Sequence, residues 1–216
     1  MIITYQGIEF IKIQHGDLVL AFNPVSKNSK FKTPRFGADI ALITLNHPDT
    51  NGVDSVSLGE KTPFVIKGAG EYEVHGLFIK GFGTPSNYSA NGENNQKINT
   101  VYSLTIDNIN VCFLGAIGGT ELDAEAREAI GKAEVLFVPV GGEGVLTASV
   151  AYQFAVKIEP KIIIPIHFGE IGDKNALKTF LKEGDAEDVK PIDKLTIKRK
   201  DIESKESEVV VLEALM

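Results

Sequence analysis

Cysteine is almost absent from this sequence, and its scarcity excludes two kinds of site. Cys112 is the only cysteine among 216 residues, so an intrachain disulfide cannot form. A zinc centre built from several thiolates is excluded for the same reason. Cys112 lies in an apolar run, residues 111–114, and we expect it to be a small buried side chain rather than a nucleophile.

Excess positive charge and long apolar runs are also missing. The chain has 22 Lys and Arg residues against 29 Asp and Glu residues, which gives a net charge of −7 at pH 7. Nucleic acids and anionic membrane surfaces bind basic patches, so we expect neither of them as a partner. No segment approaches the roughly 20 apolar residues of a membrane span, and the first residues lack the basic start of a signal peptide. These features predict a cytoplasmic protein.

Short apolar segments separated by turn residues dominate the first 115 residues and predict strands. We expect these strands at residues 2–5, 8–13, 18–22, 40–44, 63–66, 72–74, 77–80, 101–106 and 111–114. Helices are expected at residues 121–130, with Thr120 as the cap, and at residues 148–158 and 174–182. Between and after them we expect strands at 135–140 and 162–166, a solvated segment at 198–207 and a last strand at 209–212.

The order of these elements predicts the architecture. Strands first, and then strands alternating with helices, favour two sheets with helices on their outer faces, a four-layer α/β sandwich. No linker divides the chain, so we expect a single domain over residues 1–216. Residues 81–99 are rich in Asn, Ser and Gly, and we expect an exposed loop there whose role the sequence leaves open.

Two histidines and an aspartate directly follow or end predicted strands. His47 and Asp49 come after the apolar segment 40–44, and His167 ends the apolar segment 162–166. In open α/β folds, functional side chains gather at such strand ends. Two histidines and one carboxylate form a recognised metal-ligand set. A surface turn and a hydrogen-bonded histidine would explain the same residues without any metal.

Several short strings along the chain are similar to those of a known family. They are ITYQG at 3–7, FIKI at 10–13, PRFGADI at 34–40, GAGEYEV at 68–74, FLG at 113–115, PVGG at 139–142 and PIHF at 165–168. Together with the order of the elements, they resemble the metallo-β-lactamase superfamily, and within it the small zinc-dependent hydrolases near the ascorbate-6-phosphate lactonase group. The resemblance covers nearly the whole chain and implies an αββα sandwich of two mixed β-sheets flanked by helices.

The resemblance also implies a metal site, and the sequence departs from it at most ligand positions. The family has a His-x-His-x-Asp-His run after a buried strand, whereas residues 45–50 read Leu-Asn-His-Pro-Asp-Thr. The first and last histidines are therefore replaced by Leu45 and Thr50. Asn23 stands where the family has an aspartate before a proline, and Ala116 stands where it has the aspartate that bridges two metals.

The ligand set implied by the resemblance is incomplete for both metals. The loop histidine expected after residue 81 is missing, and only His47, Asp49 and His167 stand at ligand positions. The family geometry assigns His47 to one zinc ion and the other two residues to the second. Catalytic zinc usually needs three protein ligands, and neither ion would have them. We therefore expect no cofactor and no competent dinuclear zinc site.

Three functions remain open, and whether the protein is an enzyme stays open with them. We favour a non-catalytic or metal-free protein that binds a small molecule or a protein partner, which includes a second copy of the chain. One alternative is a zinc-dependent hydrolase for a phosphoester or lactone, with His47, Asp49 and His167 as a reduced, facial ligand set. Another is an inactive subunit paired with an active relative. If the protein were an enzyme without metal, the base would be a His167–Asp49 pair and the hydroxyl would be that of Thr50 or Ser86.

Overall fold

The computed structural model describes residues 1–89 and 96–216, and one layer of this part of the chain is a six-stranded mixed sheet. Its strands are β1 (Ile2–Gly7), β2 (Phe10–His15), β3 (Leu18–Phe22), β4 (Ile40–Ile43), β5 (Phe64–Lys67) and β12 (Leu195–Thr196). They lie in the order β12-β1-β2-β3-β4-β5. Neighbouring strands are antiparallel from β12 to β3 and parallel from β3 to β5.

A seven-stranded mixed sheet forms the second layer of the described chain. Its strands are β6 (Gly70–Val74), β7 (Leu77–Ser86), β8 (Lys97–Ile106), β9 (Ile109–Phe113), β10 (Val135–Pro139), β11 (Ile162–Ile166) and β13 (Glu208–Val209). They lie in the order β13-β11-β10-β9-β8-β7-β6. Strands β6 to β9 form antiparallel hairpins, and β9, β10, β11 and β13 run parallel.

Helices cover the outer faces of both sheets. The described helices are α1 (Val53–Val56), α2 (Ala124–Ile130), α3 (Ala148–Ile158), α4 (Ala176–Glu183) and α5 (Arg199–Ile202), of which α5 buries Ile202 in the core between the sheets. Helices α2, α3 and α4 bury their apolar faces against the outer side of the seven-stranded sheet. Helix α1 and the segment between β3 and β4 cover the outer side of the six-stranded sheet. The predicted four-layer αββα sandwich is confirmed.

The core between the sheets follows from the two-residue period of the strands. Ile40 and Leu42 of β4 face the opposite sheet, whereas Ala41 faces outward. Aromatic side chains join the layers: Phe22 and Phe113 have ring centroids 4.9 Å apart, and Phe113 lies 5.7 Å from Phe137. This apolar interior fixes which strand ends meet, and so it positions the site described below.

The prediction of an exposed loop over residues 81–99 is wrong at both of its ends. Strands β7 and β8 pair without a break from Gly81 opposite Tyr102 to Ser86 opposite Lys97. Asn and Gly residues in residues 81–99 have a low propensity for strands. A hydrogen bond between the two strands offsets this, in which buried Asn99 donates to the hydroxyl of Thr84 at 2.9 Å. Residues 90–95 of the predicted loop lie outside the described residues.

Several element boundaries also differ from the predictions. Helix α2 begins at Ala124 rather than at residue 121, because the Asp123 carboxylate, and not Thr120, accepts the capping bond from an N–H of the first turn. The segment 198–207 is not uniformly solvated, since α5 buries Ile202 completely. Of the last predicted strand, residues 209–212, only Val209 lies in β13.

Two further predictions concern single residues and the membrane. Cys112 is fully buried as predicted, and burial raises the pKa of its thiol, which disfavours a nucleophilic thiolate. Among the described helices, none has the length and apolar character needed to cross a bilayer.

Candidate functional site

The carboxyl ends of β3, β4 and β11 carry a cluster of buried polar residues. Asn23 follows β3, Thr44 follows β4, and His167 follows β11. The backbone N–H of Thr44 donates to the amide oxygen of Asn23 at 2.8 Å, which joins the ends of the two parallel strands. The polar groups lie at the edge of the sheets where α/β folds commonly place functional sites.

Glu9 is the centre of the most deeply buried part of this cluster. One oxygen of its carboxylate is 2.6 Å from Nδ1 of His167, and the other accepts a hydrogen bond of 2.7 Å from the amide of Asn23. The same amide also donates to the hydroxyl of Thr44 at 2.8 Å. Glu9, Asn23 and His167 are all inaccessible to solvent. A carboxylate can be buried in this way because both of its oxygens are hydrogen-bonded.

Left-handed backbone conformations place these side chains. Ile8, Asn23 and His167 have φ angles of 62°, 45° and 60°, values that cost a non-glycine residue about 1–2 kcal/mol. Ile8 is held by its carbonyl, which accepts from the Tyr5 hydroxyl at 2.7 Å and from the His167 backbone N–H at 2.6 Å. The predicted strand over residues 8–13 therefore begins only at Phe10. Such backbone strain is concentrated at functional sites in proteins.

His47 and Asp49 lie in the turn after β4 and contact each other. The backbone N–H of Asp49 donates to Nδ1 of His47 at 3.1 Å, and one carboxylate oxygen of Asp49 is 3.5 Å from the same nitrogen. Both side chains are almost completely buried. Burial lowers the pKa of His47, and it outweighs the opposite effect of Asp49, so the neutral imidazole is favoured.

Tyr88 lies between the two histidines and binds the aspartate. Its ring centroid is 4.8 Å from that of His47 and 5.0 Å from that of His167. Its hydroxyl donates to Oδ2 of Asp49 at 2.6 Å, while the hydroxyl of Ser29 donates to Oδ1 at 2.5 Å. Burial, and then the bond to Asp49, raise the pKa of Tyr88, so it remains a neutral phenol. Both oxygens of Asp49 are thus engaged within the protein.

The two histidines each keep one buried nitrogen without a hydrogen-bond partner among the described residues, Nε2 in both cases. Nδ1 of His167 faces the Glu9 carboxylate, so in the neutral tautomer that donates to this carboxylate Nε2 is a lone pair. Nδ1 of His47 accepts from a backbone N–H, so the proton of its neutral ring is on Nε2. Tyr88 therefore lies beside an Nε2 acceptor of His167 and an Nε2–H donor of His47, neither of which has a hydrogen-bond partner among the described residues.

The positions at which the sequence lacks the expected ligands have structural roles instead. Leu45 packs in the outer apolar cluster of the six-stranded sheet, and the Thr50 hydroxyl donates to its carbonyl at 2.7 Å, which closes the turn. Ala116 is fully buried, and its backbone N–H donates to the side chain of Asn99 at 2.9 Å. Gly115 lies so close to Thr44 that a β-carbon there would be 2.5 Å from the Thr44 hydroxyl.

The pairing of His167 with Asp49, which the sequence left open, is not formed in the structure. His167 pairs with Glu9, and Asp49 binds Ser29 and Tyr88, as described above. The hydroxyl of Thr50 is used by a backbone carbonyl, and that of Ser86 accepts from the backbone N–H of Tyr88 at 3.2 Å. A metal-free base assembled from His167, Asp49 and one of these hydroxyls is therefore not present.

An open groove of about 680 Å³ lies on the solvent side of Tyr88. This volume falls within the range of small-molecule sites. Its lining combines amides, hydroxyls, charges of both signs and apolar side chains: Asn28, Ser29, Lys30, Phe31, His47, Pro48, Asp49, Asn87, Tyr88, Ser89, Glu143, Gly144 and Ile171. Tyr88 forms part of its wall, so the groove gives access to His47 and Asp49.

Sequence and structure comparisons agree on the family of this chain. Residues 2–167 match the family described as the Beta-lactamase superfamily domain. The chain belongs to the metallo-β-lactamase superfamily. This assignment confirms the resemblance inferred from the short strings and from the order of the elements.

Solved structures, one of them named as a member of the metallo-beta-lactamase superfamily, share the fold over nearly the whole chain. A protein of Thermotoga maritima assigned as a Zn-dependent hydrolase is 25% identical, with a TM-score of 0.74 over 99% of this chain and 98% of that one. A protein of Parabacteroides distasonis assigned as a metal-dependent hydrolase is 20% identical, with a TM-score of 0.62 over 98% and 92%. The metallo hydrolase Igni18 of Ignicoccus hospitalis is 16% identical, with a TM-score of 0.64 over 100% and 96%.

The residues of this superfamily member do not fit a catalytic zinc ion. Among the described residues, no group of three or more His, Cys, Asp or Glu side chains is arranged to hold a metal. Asp49 uses its oxygens to accept from two hydroxyls, and the ring of Tyr88 lies against both His47 and His167. An ion bound to all three side chains would have to displace this tyrosine.

Sequence reasoning missed Glu9, Ser29 and Tyr88. The sequence contains a signal for Glu9. It is an acidic residue in the apolar segment 8–13, and it lies two residues after the turn glycine Gly7. Ser29 and Tyr88 lie in segments rich in Ser and Asn, where nothing in the local pattern distinguishes them. Their roles depend on contacts with Asp49 across 20 and 39 residues of sequence.

Proposed function

We propose that this metallo-β-lactamase-fold protein is a metal-independent binding protein, with the groove beside Asp49 and Tyr88 as its ligand site. The observation that carries this proposal is the state of Asp49. Its two oxygens accept hydrogen bonds from Ser29 and Tyr88, so the carboxylate does not need a cation to compensate its burial. The replacements Leu45, Thr50 and Ala116 support the same conclusion, since each is integrated into the local packing.

The lining of the groove favours a small polar ligand with an apolar part. Side-chain amides of Asn28 and Asn87 offer donors and acceptors, Lys30 and Glu143 offer charges of opposite sign, and Phe31 offers an aromatic face. A few directed polar groups in a partly apolar concavity are typical of small-molecule sites. The groove therefore supports a ligand-binding role more directly than a protein–protein interface.

The first experiment measures metal binding. The protein is purified without chelator, its metal content is determined by mass spectrometry, and Zn²⁺, Mn²⁺ and Fe²⁺ are titrated into it, with His167→Ala as the control. We expect well below one ion per chain in the wild type, and no difference between the two proteins. Stoichiometric binding that depends on His167 would refute the proposal.

A thermal-shift screen of small polar molecules tests the ligand-binding half of the proposal. A ligand present at about 100 times its Kd stabilises the folded state by about 2.7 kcal/mol. Asn87→Ala in the groove should reduce the shift, whereas Glu128→Gln, on the exposed surface of α2 and outside the lining, should leave it unchanged. Equal shifts in both variants would place the ligand elsewhere.

One observation favours a second candidate, a metal-dependent hydrolase with a reduced ligand set. Glu9 orients His167 so that the lone pair of Nε2 points away from the carboxylate, an arrangement that metal-ligating histidines use. The Thermotoga maritima protein assigned as a Zn-dependent hydrolase supports this candidate. Hydrolysis of a phosphodiester or lactone that requires added Zn²⁺ and is lost in His167→Ala would establish it.

A further inference from the structure

A further concavity lies on the outer face of the seven-stranded sheet, between α2 and α3. It has a volume of about 340 Å³, which is within the range of small-molecule sites. Its walls come from α3, from α2 and from the segment just before α2. Among the described residues, it shares no lining side chain with the groove beside Tyr88. This concavity, called the α2–α3 pocket below, is therefore a separate candidate site.

The α2–α3 pocket follows from the way the chain crosses the sheet. Helix α2 connects β9 with β10 and α3 connects β10 with β11, and because these strands are parallel both helices run in the same direction over one face. On one side α3 packs against α4, where the ring centroids of Tyr152 and Phe180 are 5.6 Å apart. On the other side α2 has seven residues against eleven in α3, so it is about 6 Å shorter and leaves part of α3 uncovered.

The uncovered side of α3 is apolar. Val150, Phe154 and Ile158 line the pocket at intervals of four residues, which places them on one stripe of the helix about 12 Å long. Val150 is 42% exposed, and Leu122 and Ile130 form the opposite wall from the α2 side. Exposed apolar area in a concavity of this size is typical of a ligand site. The stripe suits an elongated apolar body.

Two cations stand at the pocket, and among the described residues no acidic side chain lines it. The guanidinium of Arg127 donates to the backbone carbonyl of Leu122 at 2.9 Å, which holds it against the wall. Neither Arg127 nor Lys157 forms an ion pair with another described residue. In a chain with 29 acidic and 22 basic residues, a lining with two bases and no acid reverses the charge locally. An anion is therefore the complementary occupant.

We propose that the α2–α3 pocket binds one small carboxylate with an unbranched alkyl chain, its carboxylate held by Arg127 and Lys157 and its chain along the apolar stripe of α3. Arg127 uses one N–H for Leu122 and keeps others for the carboxylate, whose two oxygens match a guanidinium. The Lys157 ammonium supplies a second positive charge. The inference goes beyond the proposed function, because the two sites have no lining residue in common.

The size of the pocket limits the length of the alkyl chain. Its volume equals that of about eleven water molecules in the liquid, which suits an anion of about ten non-hydrogen atoms. Octanoate has this size, and it is the probe for the experiment. Hexanoate should bind up to about 15-fold more weakly, because it buries two fewer methylene groups.

Calorimetric titration of octanoate into the full-length protein tests the inference. We expect one octanoate per chain, with affinity about 10-fold lower in Arg127→Gln and in Lys157→Gln, since each loses a bond to a charged group. Lys132→Gln is the matched control, because Lys132 pairs with Glu128 and lies outside the lining, so its affinity should be unchanged. Uncharged octanol should bind at least about 10-fold more weakly than octanoate.

Asn87→Ala distinguishes this site from the groove beside Tyr88. This variant should bind octanoate as tightly as the unaltered protein does. If it weakens binding as much as Arg127→Gln does, the anion occupies the other groove, and the inference fails while the proposed function gains support.

Four other results would overturn the inference and leave the proposed function untouched. They are the absence of saturable octanoate binding, equal affinity for octanol, tighter binding of octyl phosphate than of octanoate, and a dimer in sedimentation that Val150→Asp dissociates. The third would assign the pocket to alkyl phosphates, and the fourth would mean that a second copy of the chain covers it.

Discussion

The interior between the two sheets and the polar cluster at their edge are both buried, but they are stabilised in different ways. Between the sheets, Phe22, Phe113 and Phe137 contact one another and the surrounding aliphatic side chains. Apolar packing of this kind tolerates exchange of similar side chains at modest cost. In the cluster, Glu9 and His167 depend on specific hydrogen bonds, and a missing partner is costly.

This difference shows how residues of the polar cluster could be replaced while the fold persists. Most of the strand pairings and of the apolar interior lie away from the cluster, so side chains of the cluster can be exchanged without changing them. The cluster itself must remain satisfied, and hydroxyls from Ser29 and Tyr88 supply the bonds that Asp49 requires. The hydrogen bonds that Asp49 needs are thus supplied locally, by a few side chains.

The largest expected effect contrasts the two regions directly. Glu9→Ala leaves Nδ1 of His167 and the amide of Asn23 as two buried donors without an acceptor, and at about 1–3 kcal/mol for each we expect a loss of about 2–6 kcal/mol in the free energy of unfolding. Ile164→Val, in the apolar interior, should cost only about 0.5–1.5 kcal/mol. Urea denaturation of the three proteins measures both values.

Glu9→Gln sharpens the same contrast. The amide oxygen can still accept from Nδ1 of His167, but the amide nitrogen then faces the donor nitrogen of Asn23, which held the second carboxylate oxygen. We expect Glu9→Gln to lose less free energy of unfolding than Glu9→Ala and more than Ile164→Val. A Glu9→Ala variant as stable as Ile164→Val would show that the polar cluster is no more demanding than the apolar interior.

An effect with a characteristic pH dependence is expected when Asn23 is replaced by aspartate. Asn23→Asp places a second carboxyl group next to the buried Glu9 carboxylate, 2.7 Å away in the present arrangement. Burial and the neighbouring charge both raise the pKa of the new group, so it must hold a proton when folded. The free energy of unfolding that Asn23→Asp removes is therefore small near pH 4. It increases by up to about 1.4 kcal/mol for each pH unit above that.

The control for this variant is an exposed asparagine. Asn46→Asp keeps an acceptor for the amide of Asn51 and lies in solvent, so its stability relative to wild type should not depend on pH. Stability curves between pH 5 and pH 8 compare the two variants. If the stability difference between Asn23→Asp and wild type did not change with pH, the new carboxyl group would have to contact water or a cation. The buried cluster as described offers neither.

The fold could be predicted from the sequence because its signals are local. Apolar segments such as 40–44 and 162–166 coincide with β4 and β11 to within one residue, and Thr147 precedes a helix with the predicted bounds 148–158. The boundaries near Thr120 and Ile8 failed where a single side-chain bond or a left-handed backbone angle decided them. Those details depend on contacts that a local pattern does not contain.

The site could be predicted only in part. His47, Asp49 and His167 were singled out as candidates, and the structure brings the first two together and places Tyr88 against both histidines. Tyr88 itself could not be found, because its partners are distant in sequence and its segment was predicted as an exposed loop. The strand pairing that carries the chain to Tyr88 depends on β8, a long-range partner that no local pattern specifies.

The smallest expected effect concerns His47, which lines the groove, in contrast to Glu9 and His167, which are inaccessible to solvent. Burial lowers the pKa of His47, so between that value and about 6.5 the unfolded chain binds a proton that the folded chain does not. The free energy of unfolding should therefore increase as the pH rises through this window and level off above about 6.5. His47→Asn keeps an acceptor for the backbone N–H of Asp49 but cannot titrate, so its stability should change less with pH over the same range. Equal pH dependence in the two proteins would show that His47 is solvated when folded and that Tyr88 does not shield the groove side of the cluster.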